Sequence, residues 1–174
     1  EFGDAPGYGG ASHTTGTWQR LGDIWDSEES PRVVDPSDDG VSWSTDGGVS
    51  FGHGDITRGQ AVEFQFDVWR SNEGVHDYDQ IKAWVDWDGD KVWDNENEII
   101  IAQQWFKDDN PLTREKSFNA TAVVPETAAL GEIWLRARVS CDHVLFDDTN
   151  PYDHLWQGEV EDWGMNVKAS TVPA

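Results

Sequence analysis

The residues with the clearest chemistry lie between Asp86 and Glu98, in the run D-W-D-G-D-K-V-W-D-N-E-N-E. Six carboxylates, Asp86, Asp88, Asp90, Asp94, Glu96 and Glu98, share this short stretch. Such crowding is repulsive unless positive charge sits among them. A hard divalent cation answers that need, because Ca²⁺ takes about 6–8 oxygen ligands and loops of the EF-hand kind supply them at alternate positions. Counting from Asp86, side-chain oxygens fall at Asp86, Asp88, Asp90 and Asp94, Val92 falls where a backbone carbonyl is expected, and Glu98 closes the loop one step late. The expected ligand set is therefore Asp86, Asp88, Asp90, Val92, Asp94 and Glu98, and the expected cofactor is Ca²⁺. The pattern departs from an EF-hand at three places: Lys91 stands where the turn glycine belongs, the glycine comes earlier at Gly89, and Asn97 is twelfth. The bland alternative is a solvated acidic turn that holds no metal.

A second group of acids lies near the end of the chain. By alternation Glu159, Glu161, Trp163, Met165 and Val167 share one strand face, so two carboxylates lie on a side that turns apolar and need partners. Arg136 and Arg138, together on one face of their own strand, are one expected partner; a second cation, with Asp4 or Asp38, is the other.

Aromatic residues mark the third chemistry. The chain has eleven tryptophans, and rings stack on the apolar faces of sugars while amides and carboxylates bond the hydroxyls. Phe146, Tyr152, His154 and Trp156 fall in a long loop at 142–156, and Trp69 and Trp134 on the more polar faces of strands. These six form the expected ligand-binding set, with a polysaccharide as the partner. Packing of the same rings against the body is the competing reading, and for Trp84 burial under a second layer is expected. Asp142, His143, Asp147, Asp148, Asp153 and His154 in that loop would also suit a hydrolase or a zinc site. No H-E-x-x-H, G-x-S-x-G or phosphate loop accompanies them, so the expected role is non-catalytic. Cys141 alternates with Val139, Ala137, Leu135 and Ile133 and is expected as a small core residue.

The elements that must position these groups are strands. Val62, Phe64, Phe66 and Val68 alternate with polar positions, and period two is the mark of a half-buried strand. Ile81, Ala83 and Val85 repeat the pattern in 80–86, as does 132–141. Strands are also expected at 98–106, 115–124 and 157–168, with short pieces at 41–43 and 49–51. Turn chemistry fills 17–60, including Ser30-Pro31, Asp35-Pro36-Ser37 and Asp46-Gly47-Gly48; Ser71–Asp79 and Asp108-Asp109-Asn110-Pro111 are further turns. No segment has helical periodicity over three turns. The expectation is an all-β fold, an antiparallel, jelly-roll-like β-sandwich with the calcium loop between strands, forming one domain over 1–168, with 169–174 a linker or chain end.

Thirty-four acids against twelve bases give a net charge of −22, which argues against nucleic acid or an anionic membrane as a partner. No apolar run approaches the ~20 residues of a membrane span. The opening residues carry no leader pattern, so any secretory leader is expected to have been removed. One cysteine excludes an intrachain disulfide.

Several short motifs now gain meaning together. Gly158-Glu159-Val160-Glu161-Asp162-Trp163 resembles the hallmark run of the GEVED domain, and Phe2-Gly3-Asp4-Ala5-Pro6 is similar to that family's opening. Asp39-Gly40-Val41, the stretch Ile81–Asp86 with its acid loop, Val124-Pro125-Glu126 and Leu135–Ser140 are similar to family features in the same order. The resemblance implies a β-sandwich module of a large secreted or surface bacterial protein and fixes no single activity; the expected role is structural, adhesive or accessory.

Overall fold

The computed structural model describes residues 2–25, 38–71, 76–107 and 113–171. The expected turns at 30–31, 35–37 and 108–111, positions 72–75 of the turn at 71–79, and residues 172–174 lie outside the described residues. Eleven strands follow in order: β1 Ser12–Thr15, β2 Gln19–Leu21, β3 Val41–Ser44, β4 Ile56–Thr57, β5 Ala61–Arg70, β6 Tyr78–Val85, β7 Ile99–Phe106, β8 Glu115–Val123, β9 Gly131–Cys141, β10 His154–Gln157 and β11 Glu159–Lys168. Helical structure among the described residues is one 3-10 turn at Phe146–Asp148, and no helix is long and apolar enough to cross a membrane.

Two sheets face each other. One runs β4-β11-β9-β6-β7; in the other, β2 and β3 pair with β5, as does β8. Alternation explains the layering. Val62, Phe64, Phe66 and Val68 of β5 pack in one cluster with Ile81, Ala83 and Val85 of β6, Leu135, Ala137 and Val139 of β9, and Met165 and Val167 of β11. The long pairings are antiparallel, as expected, and the smaller of the two facing sheets is antiparallel throughout; β4 joins β11 in parallel, which makes the larger sheet mixed, and β1 and β10 form a separate two-stranded parallel sheet. The sequence placed His154 and Trp156 in a loop; they belong to β10, because its partner β1 comes from the far end of the chain. Residues 49–51 form no strand, only a bridge from Gly52 to Trp43.

The outer face of the larger sheet is covered as well. β6 and β9 are buried along almost their whole length, because the segments before β2 and between β9 and β11 lie across them. Buried cations hold this cover by its carbonyls. Arg136 Nη1 donates to Gly9 O (2.7 Å) and Pro151 O (2.8 Å). Arg138 donates to Asn150 O (2.8 Å) and Asp153 O (2.7 Å), and Lys82 Nζ to Thr149 O (3.0 Å) and Phe146 O. Loop carbonyls buried away from water need such donors. Burial pushes Arg138 down to about 9, and His13, wholly buried beside it, well below its ordinary value.

The expected pairing of Glu159 and Glu161 with Arg136 or Arg138 is corrected by the register. Glu159 lies opposite Val139 and Glu161 opposite Ala137, whereas Arg136 lies opposite Asp162. Residues directly opposite share a sheet face, so the two glutamates point between the sheets and the arginines point outward. Glu159 accepts from Leu21 N (2.6 Å). Glu161 accepts from Asp39 N (2.9 Å), Gly40 N (2.8 Å) and Trp163 Nε1 (2.9 Å). Each glutamate thus ties backbone of the smaller sheet or its loop to β11.

Candidate cation site

β6 ends at Val85, and Asp86 follows as a fully buried carboxylate. Its Oδ1 accepts from Gly89 N (2.8 Å) and Asp90 N (3.2 Å), and its Oδ2 from Lys91 N (3.0 Å) and the Tyr8 hydroxyl. The chain wraps tightly enough for this only by entering left-handed backbone at Gly89 (φ 74°) and Lys91 (φ 68°). The lysine that stood in the turn glycine's place therefore adopts the conformation a glycine takes freely, at a cost of order 1–3 kcal/mol. Glu98, buried at the other end, accepts from Trp87 N (3.1 Å) and Asp94 N (2.9 Å).

Of the six expected ligands, the structure gathers three. One oxygen each of Asp86, Asp88 and Glu98 lie within 4.8 Å of one another. Asp90, Val92 and Asp94 fall outside that group and are exposed; Asp90 accepts from Val92 N (2.8 Å), and Asp94 from Glu96 N (2.9 Å) and Asn97 N (2.7 Å). The gathered donors are all carboxylate oxygens, which suit a hard cation and not a soft one. A hollow of about 300 Å³ adjoins them, lined by Trp87, Asp88, Asp94, Asn97, Glu98 and the Pro125–Ala128 turn, and gives a path from solvent. The residues fit a divalent cation.

Electrostatics agree with the geometry. Burial, with Asp86, Asp88 and Asp94 close by, raises Glu98 to about 7. Burial likewise raises Glu161 to about 7. Both groups hold protons in the folded chain that the unfolded chain has released above about pH 4.5, so their contribution to stability is lost as pH rises through about 7. His13 acts oppositely: it stays neutral when folded, so stability falls as pH drops below its ordinary value near 6.5. In chelator the two carboxyl groups outweigh His13, so melting temperature is expected to fall as pH rises from 5 through about 7, an alkaline limb that Glu161→Gln flattens. Melting scans from pH 5 to 8.5 check this; an alkaline limb unchanged in the variant counts against the Glu161 assignment.

The aromatic set does not assemble into one surface. Trp134, at 9% exposure, packs with Ala5, Trp84 and Trp93, and Tyr152 lies against the same cluster. Trp84 is fully buried, as expected. The Tyr152 hydroxyl accepts from Trp93 N (2.7 Å), pinning the acid loop. Phe146 lies against Lys82, its ring centre 4.7 Å from Nζ. His154 spends both ring nitrogens on Ser12 (2.7 Å) and Thr14 (3.0 Å). Trp156 is 58% exposed on β10. Trp69 lies on the other sheet beneath the Arg20 guanidinium, 3.9 Å from its ring centre, in a groove of about 230 Å³ lined also by Asp23, Asp39, Asp67 and Glu115. Cys141 is buried as expected, and burial raises its thiol to about 11, leaving it protonated at neutral pH.

Sequence reasoning missed Tyr8 and Trp93. Tyr8 stacks on Trp93 with ring centres 4.2 Å apart while its hydroxyl reaches Asp86. The available signals were a tyrosine set among glycines at 7–10 and a tryptophan inside an acidic loop, a ring that water-facing acids cannot bury.

A search of curated proteins returned no match. A model of the GEVED domain family matches residues 80–166. That stretch begins in β6, contains the acid loop and the covering loop, and ends in β11 at the register that separates Glu159 and Glu161 from Arg136. The chain belongs to the GEVED domain family.

Proposed function

We propose that the chain is a non-catalytic module stabilised by calcium, serving a structural, adhesive or accessory role within a larger secreted or surface bacterial protein. The observation that carries this reading is the convergence of Asp86, Asp88 and Glu98. Asp86 and Glu98 would hold the cation from the buried side and Asp88 from the solvent side. The cation would supply positive charge that offsets three like charges in a low-dielectric pocket. Oxygen-only donors at the end of a strand, with room beside them for water, favour Ca²⁺ over softer metals. The test is calorimetric titration of CaCl₂ into chelator-stripped protein. One saturable event, lost in Asp88→Asn, supports the reading; no heat and no metal by elemental analysis oppose it.

A second reading is carbohydrate binding, favoured by one observation: the concave groove that sets Trp69 beside four carboxylates. A neutral or cationic polysaccharide suits its charge. Trp69→Ala is expected to abolish retention on whichever glycan column retards the parent, with melting shifted by under about 1 kcal/mol. Retention that persists in Trp69→Ala and disappears in Trp156→Ala would move the site to β10.

A further inference from the structure

We propose that Tyr8 is a positioning residue for the cation loop, so that the cation-binding unit joins the chain's first residues to a loop nearly eighty positions later. The inference rests on the calcium reading above and concerns residues outside the family-matched stretch.

Three contacts carry it. The Tyr8 hydroxyl donates to Asp86 Oδ2 and, among the described residues, is the one side chain that donates to that carboxylate; the others are backbone N–H groups of the loop itself. The Tyr8 ring stacks on Trp93, whose Nε1 donates to Trp134 O (3.2 Å), fixing the ring that Tyr8 lies against. Gly7 passes directly under Lys91: a β-carbon there would come within 2.9 Å of Lys91 Nζ, and its φ of +83° excludes most side chains anyway. The opening segment is thus moulded to the acid loop and not merely near it.

The chemistry follows from what a ligating carboxylate requires. A second hydrogen-bond partner fixes which way the carboxylate faces, and loss of such partners typically weakens metal binding by about 10–100-fold. Within Asp86, Oδ1 is held by two backbone donors. Oδ2 is held by Lys91 N, from a strained left-handed residue, and by Tyr8. Without the hydroxyl, Oδ2 depends on the donor whose backbone conformation is least favoured.

The experiment titrates CaCl₂ into stripped parent, Tyr8→Phe and Tyr78→Phe at a temperature where all are folded. Tyr8→Phe keeps the ring on Trp93 and loses only the hydroxyl. Its Kd is expected to rise about tenfold or more. A purely structural loss would lower melting in chelator but leave the Kd of a fully folded protein unchanged. Tyr78→Phe removes a hydroxyl at the end of β6 far from the acid loop, where the ring lies against Phe106, and is expected to bind within about twofold of parent. A Tyr8→Phe Kd equal to or tighter than parent, or equal weakening in both variants, overturns the proposal. Should Tyr8→Phe fail to fold, hydrogen exchange of the parent decides. By linkage, calcium must slow exchange at Tyr8 N, bonded to Ala5 O (3.2 Å), and at Gly3 N, bonded to Ala11 O (2.9 Å); unaltered exchange there overturns it. A parent that takes up no calcium removes the cation reading itself, a result distinct from a parent that binds and a variant that binds equally.

Discussion

Chelator is expected to lower the melting temperature by about 6–16 °C relative to protein in millimolar calcium. Ligand that binds only the folded state adds RT ln(1 + [L]/Kd), about 3–4 kcal/mol at a hundred- to thousand-fold excess over Kd. For a chain of this size each kcal/mol moves the midpoint by about 2–4 °C. Asp88→Asn should remove most of that gain yet leave melting in chelator nearly unchanged. Asp88 is exposed, and an asparagine oxygen can still accept from Asp90 N (3.1 Å). Asp86→Asn is the poorer probe, because an amide nitrogen would face backbone donors that the carboxylate now accepts from. Asp90→Asn separates the ligand set expected from spacing from the one the fold gathers. Calcium stabilisation retained in Asp90→Asn supports the three-carboxylate site; its loss means that the loop closes further when the ion enters. Equal melting with and without chelator removes the calcium reading.

The strands that frame this site were legible because alternation is local. Val62 to Val68 and Ile133 to Cys141 name their core faces by period two alone, and the structure gives β5 and β9 at those positions. The parity of Glu159 and Glu161 was legible too. If Leu135, Ala137 and Val139 face the core, Arg136 and Arg138 cannot; if Met165 and Val167 face the core, Glu159 and Glu161 must. The ion pair was excluded by those two statements together. What alternation could not reveal was the second cover. A sheet with one wet face puts tryptophan and arginine on it, and so does a sheet whose outer face lies under polar loops. Trp134 read as exposed for that reason and Tyr152 because it fell in a loop, whereas the layer that covers Trp134 arrives from opposite ends of the chain and includes the half-buried Tyr152. In the acid loop, spacing offered six ligands where the fold brings three carboxylates together, Asp86, Asp88 and Glu98. Asp90 and Asp94 serve the loop's own backbone, a use of carboxylates that spacing does not distinguish from metal binding.

Arg136 is where that second cover is most exposed to attack by mutation. Its guanidinium is wholly buried and forms a two-pronged pair with Asp162, at 2.8 and 2.7 Å. It also lies 4.2 Å over the Trp93 ring, and Asp162 in turn accepts from Ala5 N (2.8 Å). With its bonds to Gly9 O and Pro151 O, one side chain therefore joins β9, β11, the opening segment, the covering loop and the acid loop. Arg136→Leu would strand a buried carboxylate, a change that typically costs about 3–5 kcal/mol. It would also leave two carbonyls without their present donor, at about 1–3 kcal/mol each where water cannot reach them. Against a total of about 5–15 kcal/mol for a domain, Arg136→Leu is expected to unfold near physiological temperature. The double variant Arg136→Leu/Asp162→Leu separates charge from architecture. If the stranded charge is the main loss, removing both partners should restore most of the stability, as apolar replacements of buried pairs often do. If the carbonyls dominate, the double variant should stay far below the parent, with amides of 2–16 and 142–157 exchanging before those of β5 and β9. The second result is the expected one, because Gly9, Pro151 and Ala5 have no other side-chain partner among the bonds described. An Arg136→Leu protein that melts within about 1 kcal/mol of the parent would show that the cover is held elsewhere, by Arg138 and Lys82.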